Sequence, residues 1–287
     1  MFGETVNNII GRTVNPYNRL LACGGSSGGE GALLALHGSS VGVGTDLAGS
    51  IRIPASSSNL WNYQLFFERI FGFDSVIMPH PRILRGIQQV ITALRKVDHT
   101  VVECQPYKHK YGVDLFHKIL AADGAVRIKR AIASRGEPVI PNFKKEYELN
   151  VPVIDLESLW NLHNEKYKYQ KEYLTVWQQQ SHIDAWILPV ASCSAVKHDD
   201  FKYFGYTGVI NLLDWPATTI SVTFADKDKD IKNMQYKSMS DLDKETYKAY
   251  DSDIYDGEPV GIQLVGKRFQ EEYLLGLAEQ IGEALVA

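Results

Sequence analysis

An α/β fold follows from three features of this sequence. Helix-periodic apolar segments alternate with short continuous apolar runs, the pattern of a largely buried mixed sheet packed between helices. Apolar residues make up 45% and charged residues 22% of the chain, a globular composition. The 287 residues are enough for one large domain with a substantial core. The expectation is a single domain over 1–287. A Gly/Ser-rich, charge-poor segment occupies 1–64, and 65–287 forms the rest of the same domain.

Val6–Thr13 reads as a short strand, and Asn15-Pro16-Tyr17-Asn18 as a turn. Ser27 and Glu30 have the spacing of a capping box, so a helix is expected over Gly31–His37, ended at Gly38. Val41–Thr45 reads as a buried strand, Asp46–Ser50 as a tight turn, and Pro54 closes the segment. Pro79–Lys96 is a helix, with prolines in its first turn and Ile83, Leu84, Ile87, Val90, Ile91 and Leu94 on one face. Thr100–Cys104 follows as a strand, and Val113–Arg130 and Ile154–Gln179 as helices. Ala185–Val190, Ala217–Phe224 and Val260–Val265 are strands, and Glu271–Leu285 is the last helix. The charged stretch Lys227–Asp253 reads as a surface excursion.

Composition excludes several function classes. The net charge of -4 carries no basic excess for a nucleic-acid partner. No apolar run is long enough to span a bilayer, and the first residues lack the pattern of a signal peptide. Cys23, Cys104 and Cys193 are far apart, which argues against a disulfide framework and for a reducing, cytoplasmic compartment. No His/Cys spacing suggests a metal site. The first lysine is Lys96.

The chemistry concentrates in Gly24–Glu30 and Thr45–Pro54. A Gly-rich loop opening a helix first suggests phosphate binding. A P-loop requires Lys-Ser/Thr after its last glycine, where this chain has Glu30-Gly31, and the dinucleotide fingerprint fails at Leu47. Nucleophilic catalysis fits better. Ser26 and Ser27 sit at a helix start. Ser50 follows the small residues Ala48 and Gly49 in a turn whose N–H groups can form an oxyanion hole. A serine also needs a base. His37, with Asp46 as its orienter, is the nearby candidate, but at the end of a short helix beside Gly38 it reads as a C-terminal cap instead. The GxSxG elbow is absent around Ser50.

Gly24-Gly25-Ser26-Ser27-Gly28-Gly29-Glu30 followed by Val43–Pro54 resembles the amidase signature family, in particular its fungal acetamidase-like and fatty-acid-amide-hydrolase-like branches. Asn15-Pro16, Met78–Pro81, Gly136–Pro138, Tyr206–Gly208, Asn211–Pro216 and Pro259–Gly266 continue the likeness in family order, over most of the chain. The resemblance implies the amidase signature fold, a mixed sheet covered by helices on both faces and incomplete in this chain. It implies hydrolysis of carboxamides by a Ser–Ser–Lys triad without a cofactor or metal.

By that resemblance Ser50 is the acyl-ester nucleophile. Ser26 is the bridging serine, preceded by a cis bond at Gly25–Ser26. The N–H groups of Leu47, Ala48, Gly49 and Ser50 form the oxyanion hole. Asp46 and Arg52 fix the loop by an ion pair, and Ser27 and Thr45 support the network by hydrogen bonding. The family more often has glycine at position 48. The family's lysine lies upstream of the Gly/Ser loop, and none of the 25 residues before Ser26 is a lysine. Arg12 and Arg19 stay protonated and cannot replace it. The chain therefore reads as truncated at its N-terminus and shortened after residue 63. Such a chain is either a fragment of an amidase or a catalytically inactive remnant. Uncovered sheet edges would favour self-association, as in a homo-oligomer, or instability. The expected partner is a small-molecule amide.

The remaining chemistry-bearing residues read as structural. Tyr206 and Trp215 belong to a core rather than an acyl pocket. His80, His117, His163 and His182 lack ligand spacing. Cys193 has no positioned base and reads as an inert thiol.

Overall fold

The computed structural model describes residues 3–60, 74–148, 151–179, 183–193 and 195–287. The expected His182 and the stretch after Leu60 therefore lie outside the described residues. The chain begins with a hairpin of β1 (Val6–Asn7) and β2 (Gly11–Arg12), where one longer strand was expected. Helix α1 (Gly28–Ala35) follows the Gly/Ser loop. Its N-cap Ser27 makes no side-chain cap, so the capping box is not formed. Glu30 instead accepts the Val43 N–H at 3.2 Å. The helix ends in a Schellman arrangement. His37 adopts φ 55°, and its N–H and that of Gly38 donate to Leu34 and Leu33 at 2.9 Å each.

Two expectations fail in the next stretch. Val41–Thr45 is not a strand but irregular chain, with Val41 75% and Val43 86% exposed. No neighbouring strand offers it a ladder among the described residues, and β-propensity alone does not make a strand. Pro54 does not close the segment; it lies inside a short helix, α2 (Arg52–Ser57), in the first turn, where its missing N–H costs little.

Helix α3 (Pro81–Lys96) has Pro81 at its start and Arg95 and Lys96 in its last turn, which suits the helix dipole. Thr100–Cys104 forms only an isolated bridge at Glu103 and no strand. The expected helix over Val113–Arg130 is two: α4 (His109–Leu120) and α5 (Val126–Arg135). Gly124 and Ala125 between them both have positive φ, which a helix cannot contain, and Asp123-Gly124 is a turn pair. Next come α6 (Pro141–Glu148), α7 (Leu156–Gln179) and β3 (Trp186–Pro189). They are followed by α8 (Gly205–Leu213) and β4 (Ala217–Phe224). The charged excursion is less peripheral than its composition suggests. It contains α9 (Asp241–Ala249) and α10 (Ser252–Tyr255) and buries Asp230, Asp243, Tyr247 and Tyr250. The chain closes with β5 (Pro259–Val265) and α11 (Glu271–Val286).

Strand β5 lies between β3 and β4, antiparallel to both. Its residues alternate between two cores, as the two-residue repeat of a strand requires. Val260, Ile262 and Leu264 join Ile83, Ile87, Val90 and Leu94 of α3 and Leu274 and Ile281 of α11. Val265, with Trp186 and Leu188 of β3, joins the aromatic core formed with α4, α7 and α8. Tyr206 is fully buried in that second core, and Trp215 packs against Tyr173, Trp177 and Trp186. Each such buried aliphatic or aromatic side chain contributes roughly 1.5–3 kcal/mol. The sheet thus has helices on both faces. The face carrying Gly261 and Gln263 meets α2 and α8, which carry or hold the Ser50 turn.

Candidate active site

Three anchors bring the Gly/Ser segment onto this face. Asn15, fully buried, donates from its amide to the carbonyls of Ser57 at 2.7 Å and Ala22 at 3.4 Å, and to Glu258 at 3.2 Å. Thr5 lies under the Gly24–Gly28 loop. Its hydroxyl is 3.1 Å from the carbonyls of both Gly24 and Ser26 and accepts the Gly28 N–H at 3.0 Å. The Gly25–Ser26 bond is cis. Gly25 cannot carry a side chain, because a Cβ there would meet the Glu4 carbonyl oxygen at 2.3 Å. The Ser27 N–H donates to the Ser50 carbonyl at 3.1 Å, which joins the two serine-bearing loops directly. Ser26 is exposed and Ser50 half-buried. Neither hydroxyl has a hydrogen-bond partner among the described residues.

The Ser50 turn is built around one carboxylate. Asp46 accepts the N–H groups of Gly49 at 2.7 Å, Ile51 at 3.1 Å and Arg52 at 3.2 Å, and the Arg52 guanidinium at 2.9 and 3.1 Å. Burial works against ionisation here, but Arg52 and the three N–H donors overcome it and hold the carboxyl well below its ordinary range. Arg52, 4% exposed, also donates to Gln263 at 2.8 Å, to Asn211 and to the Thr207 carbonyl. Asn211 donates in turn to the Asp46 carbonyl at 2.8 Å. The Thr207 hydroxyl donates to the Ala48 carbonyl. Gly49 has φ +111° and lies against Thr207, where a Cβ would come within 2.5 Å of the hydroxyl, so glycine is required.

These bonds sort the residues singled out in the sequence. Asp46 and Arg52 form the expected ion pair at 2.9 Å. Asp46 takes the Gly49 N–H, whereas the N–H groups of Leu47, Ala48 and Ser50 have no partner among the described residues. Ser27 joins the network through its backbone rather than its hydroxyl. Thr45 is exposed and makes no hydrogen bond among the described residues. His37 is exposed at the end of α1, and Asp46 is committed to Arg52 and the turn, so the pair does not form a base. Burial pushes the Cys193 thiol up to about 11, which leaves it a poor nucleophile. Among the described residues no group of His, Cys, Asp and Glu could hold a metal ion. No described helix is long and apolar enough to cross a membrane.

Sequence reasoning placed no role on Thr5, Asn15, Thr207, Asn211 or Gln263. The last three stand in the ordered motifs after residue 200, and Asn15 opens the first one, so a signal was present. What it could not show was that these motifs converge on one turn.

Known proteins resemble this chain over nearly its whole length. The Amidase family profile matches residues 1–61 and 70–275. The acetamidase of Emericella nidulans is 37% identical over 364 aligned positions, which cover 99% of this chain and 66% of that protein. The acetamidase of Aspergillus oryzae is 36% identical, over 99% of this chain and 67% of that protein. The structure of a fatty acid amide hydrolase superposes with a TM-score of 0.92 at 24% identity, over 100% of this chain and 63% of that one. This chain thus spans about two thirds of the length of these relatives. The aligned positions outnumber its residues, so each acetamidase has residues within the alignment that this chain lacks.

Proposed function

The chain belongs to the Amidase family, and on that premise we propose that it carries the acyl-transfer centre of an amide hydrolase, with Ser50 as nucleophile and Ser26 as its proton relay. The observation that carries this reading is the Asp46–Ser50 turn, where a serine hydroxyl and N–H groups without partners among the described residues stand on a buried ion pair. Such groups are preorganised for the negative charge of a tetrahedral intermediate, and a single donor of this kind is worth roughly 10²–10³ in rate.

In the proposed reaction the Ser50 oxygen attacks the carboxamide carbon and its proton passes to the Ser26 oxygen as the Ser26 hydroxyl proton moves on to the leaving nitrogen. The N–H groups of Leu47, Ala48 and Ser50 receive the oxyanion. The carbon–nitrogen bond breaks, the amine or ammonia leaves with a proton returned through Ser26, and water hydrolyses the Ser50 ester. No cofactor enters this scheme. The substrate class is a small-molecule carboxamide, as the names of the acetamidase and fatty acid amide hydrolase relatives suggest. Three dispersed cysteines outside any disulfide fit a cytoplasmic setting.

The scheme lacks a strong base. Among the described residues no lysine or histidine hydrogen-bonds to Ser26 or Ser50, and no lysine precedes Lys96. A second reading is an amidase remnant that binds amides with little turnover. Ammonia release from acetamide by the pure chain separates the two. The first reading expects slow release that disappears in Ser50→Ala. No release from a folded chain contradicts the first reading, and release that survives Ser50→Ala contradicts the assignment of Ser50.

A further inference from the structure

Helix α7 is the longest helix among the described residues, and it is apolar on two opposite sides. Inward, Tyr169, Tyr173 and Trp177 repeat at four-residue steps and are buried in the aromatic core. Outward, Leu156, Trp160, Tyr167 and Leu174 are 61%, 60%, 66% and 39% exposed. Steps of four, seven and seven residues return to nearly the same side of a helix. These four side chains therefore fall within an arc of about 40° and run about 27 Å along the axis. Single exposed apolar residues are ordinary, but a continuous stripe of large ones marks a contact surface. The spacing is that of a coiled-coil seam. Trp160, Tyr167 and Leu174 take one heptad position, and Leu156, His163 and Gln170 take the other. His163 is exposed, and Gln170 borders the seam with its amide tied to the Leu212 carbonyl at 2.8 Å.

We propose that this stripe is the interface of a two-fold dimer, in which α7 packs antiparallel against the same helix of a second copy of this chain. The inference is independent of the roles of Ser26 and Ser50. The seam and its charges match themselves in that orientation. Leu156 lies on the partner's Leu174, and His163 lies on the partner's Tyr167, with the two-fold axis between them. Glu157 then stands beside the partner's Lys171, once at each end. Both residues are exposed on the same flank of the stripe, and neither is in an ion pair among the described residues. A parallel pairing would set Trp160 on the partner's Trp160 and hold Glu157 about 21 Å from the partner's Lys171. The helix carries three glutamates and three lysines, so it has no basic excess to suit an anionic lipid surface.

The test is sedimentation equilibrium of the full chain over a concentration series. A single helix seam predicts a reversible monomer–dimer equilibrium in the micromolar range, closed at two chains. Tyr167→Glu and Trp160→Lys change exposed positions and leave the aromatic core intact. Each should raise the dissociation constant by at least about thirtyfold, with the helical circular dichroism unchanged. Glu157→Lys or Lys171→Glu alone should weaken the dimer by about tenfold, and the two together should restore it. A chain that stays monomeric up to about 1 mM overturns the interface. A dimer indifferent to Tyr167→Glu, or larger assemblies that persist in that variant, put self-association on another surface and overturn it as well. A double charge swap that fails to restore the dimer overturns the antiparallel register. Capture of a monomeric chain by phosphatidylserine–phosphatidylcholine vesicles, abolished by Tyr167→Glu, gives the stripe to a lipid surface and overturns the dimer.

Discussion

Asp46 shows how one side chain can define a reactive turn. It satisfies three backbone N–H groups around Ser50, and it neutralises Arg52 inside the protein. Asp46→Asn leaves that buried guanidinium uncompensated and should cost about 3–5 kcal/mol in denaturant unfolding. The wild-type contribution is complete above the ordinary carboxylate value of 3.8 and fades as acid protonates Asp46 through its lower folded value. Glu258 works in the opposite direction. Burial pushes its carboxyl up to about 7 against the pull of Arg82, so the folded chain keeps a proton that the unfolded chain releases near 4.5. Stability should therefore fall at this site by about 3 kcal/mol as pH rises from 4.5 to 7. Glu258→Gln keeps an acceptor for Asn15 and should remove that pH dependence, as read from urea midpoints across the range.

At the scale of elements, α8 and β5 act as a cradle for a turn that neither contains. Thr207 holds the Ala48 carbonyl, Asn211 spans Arg52 and the Asp46 carbonyl, and Gln263 meets Arg52 from the sheet. Thr207→Val keeps the shape and loses one hydrogen bond of about 1 kcal/mol, so Ser50 labelling by a fluorophosphonate should slow by about fivefold, with recovery in Thr207→Ser. Much of this scaffold could be read in advance. Helices α3, α7 and α11 and strands β3, β4 and β5 follow their periodicity to within a few residues, because each carries a continuous apolar face. Val41–Thr45 misled because β-branched residues predict a strand only where a partner ladder exists. The break at Gly124 was missed because the apolar spacing continues across it. The site was legible in its serines and its ion pair, which are close in sequence. Its supports at Thr207, Asn211 and Gln263 were not, because only folding brings residues about 150–210 positions away onto Asp46–Arg52.

Across the whole molecule, the first 60 residues are fastened to the rest at several separate points. Asn15 meets Glu258, Arg12 meets Asp199, Asn8 meets Glu137 and Arg52 meets Gln263. Ties of this reach make the serine-bearing segment part of the same cooperative unit as the sheet. One unfolding transition is therefore expected by calorimetry, shifted as a whole by Asp46→Asn, and two separable transitions would contradict it. On the proposed reading, the nucleophile, the relay and the oxyanion site then share a single frame, with the proton base as its weak point. The most direct measurement is mass-spectrometric mapping of the folded chain after reaction with an alkyl fluorophosphonate. One slow adduct on Ser50, absent in Ser50→Ala, is the predicted result. An unmodified Ser50, or an adduct that persists in Ser50→Ala, would contradict the account.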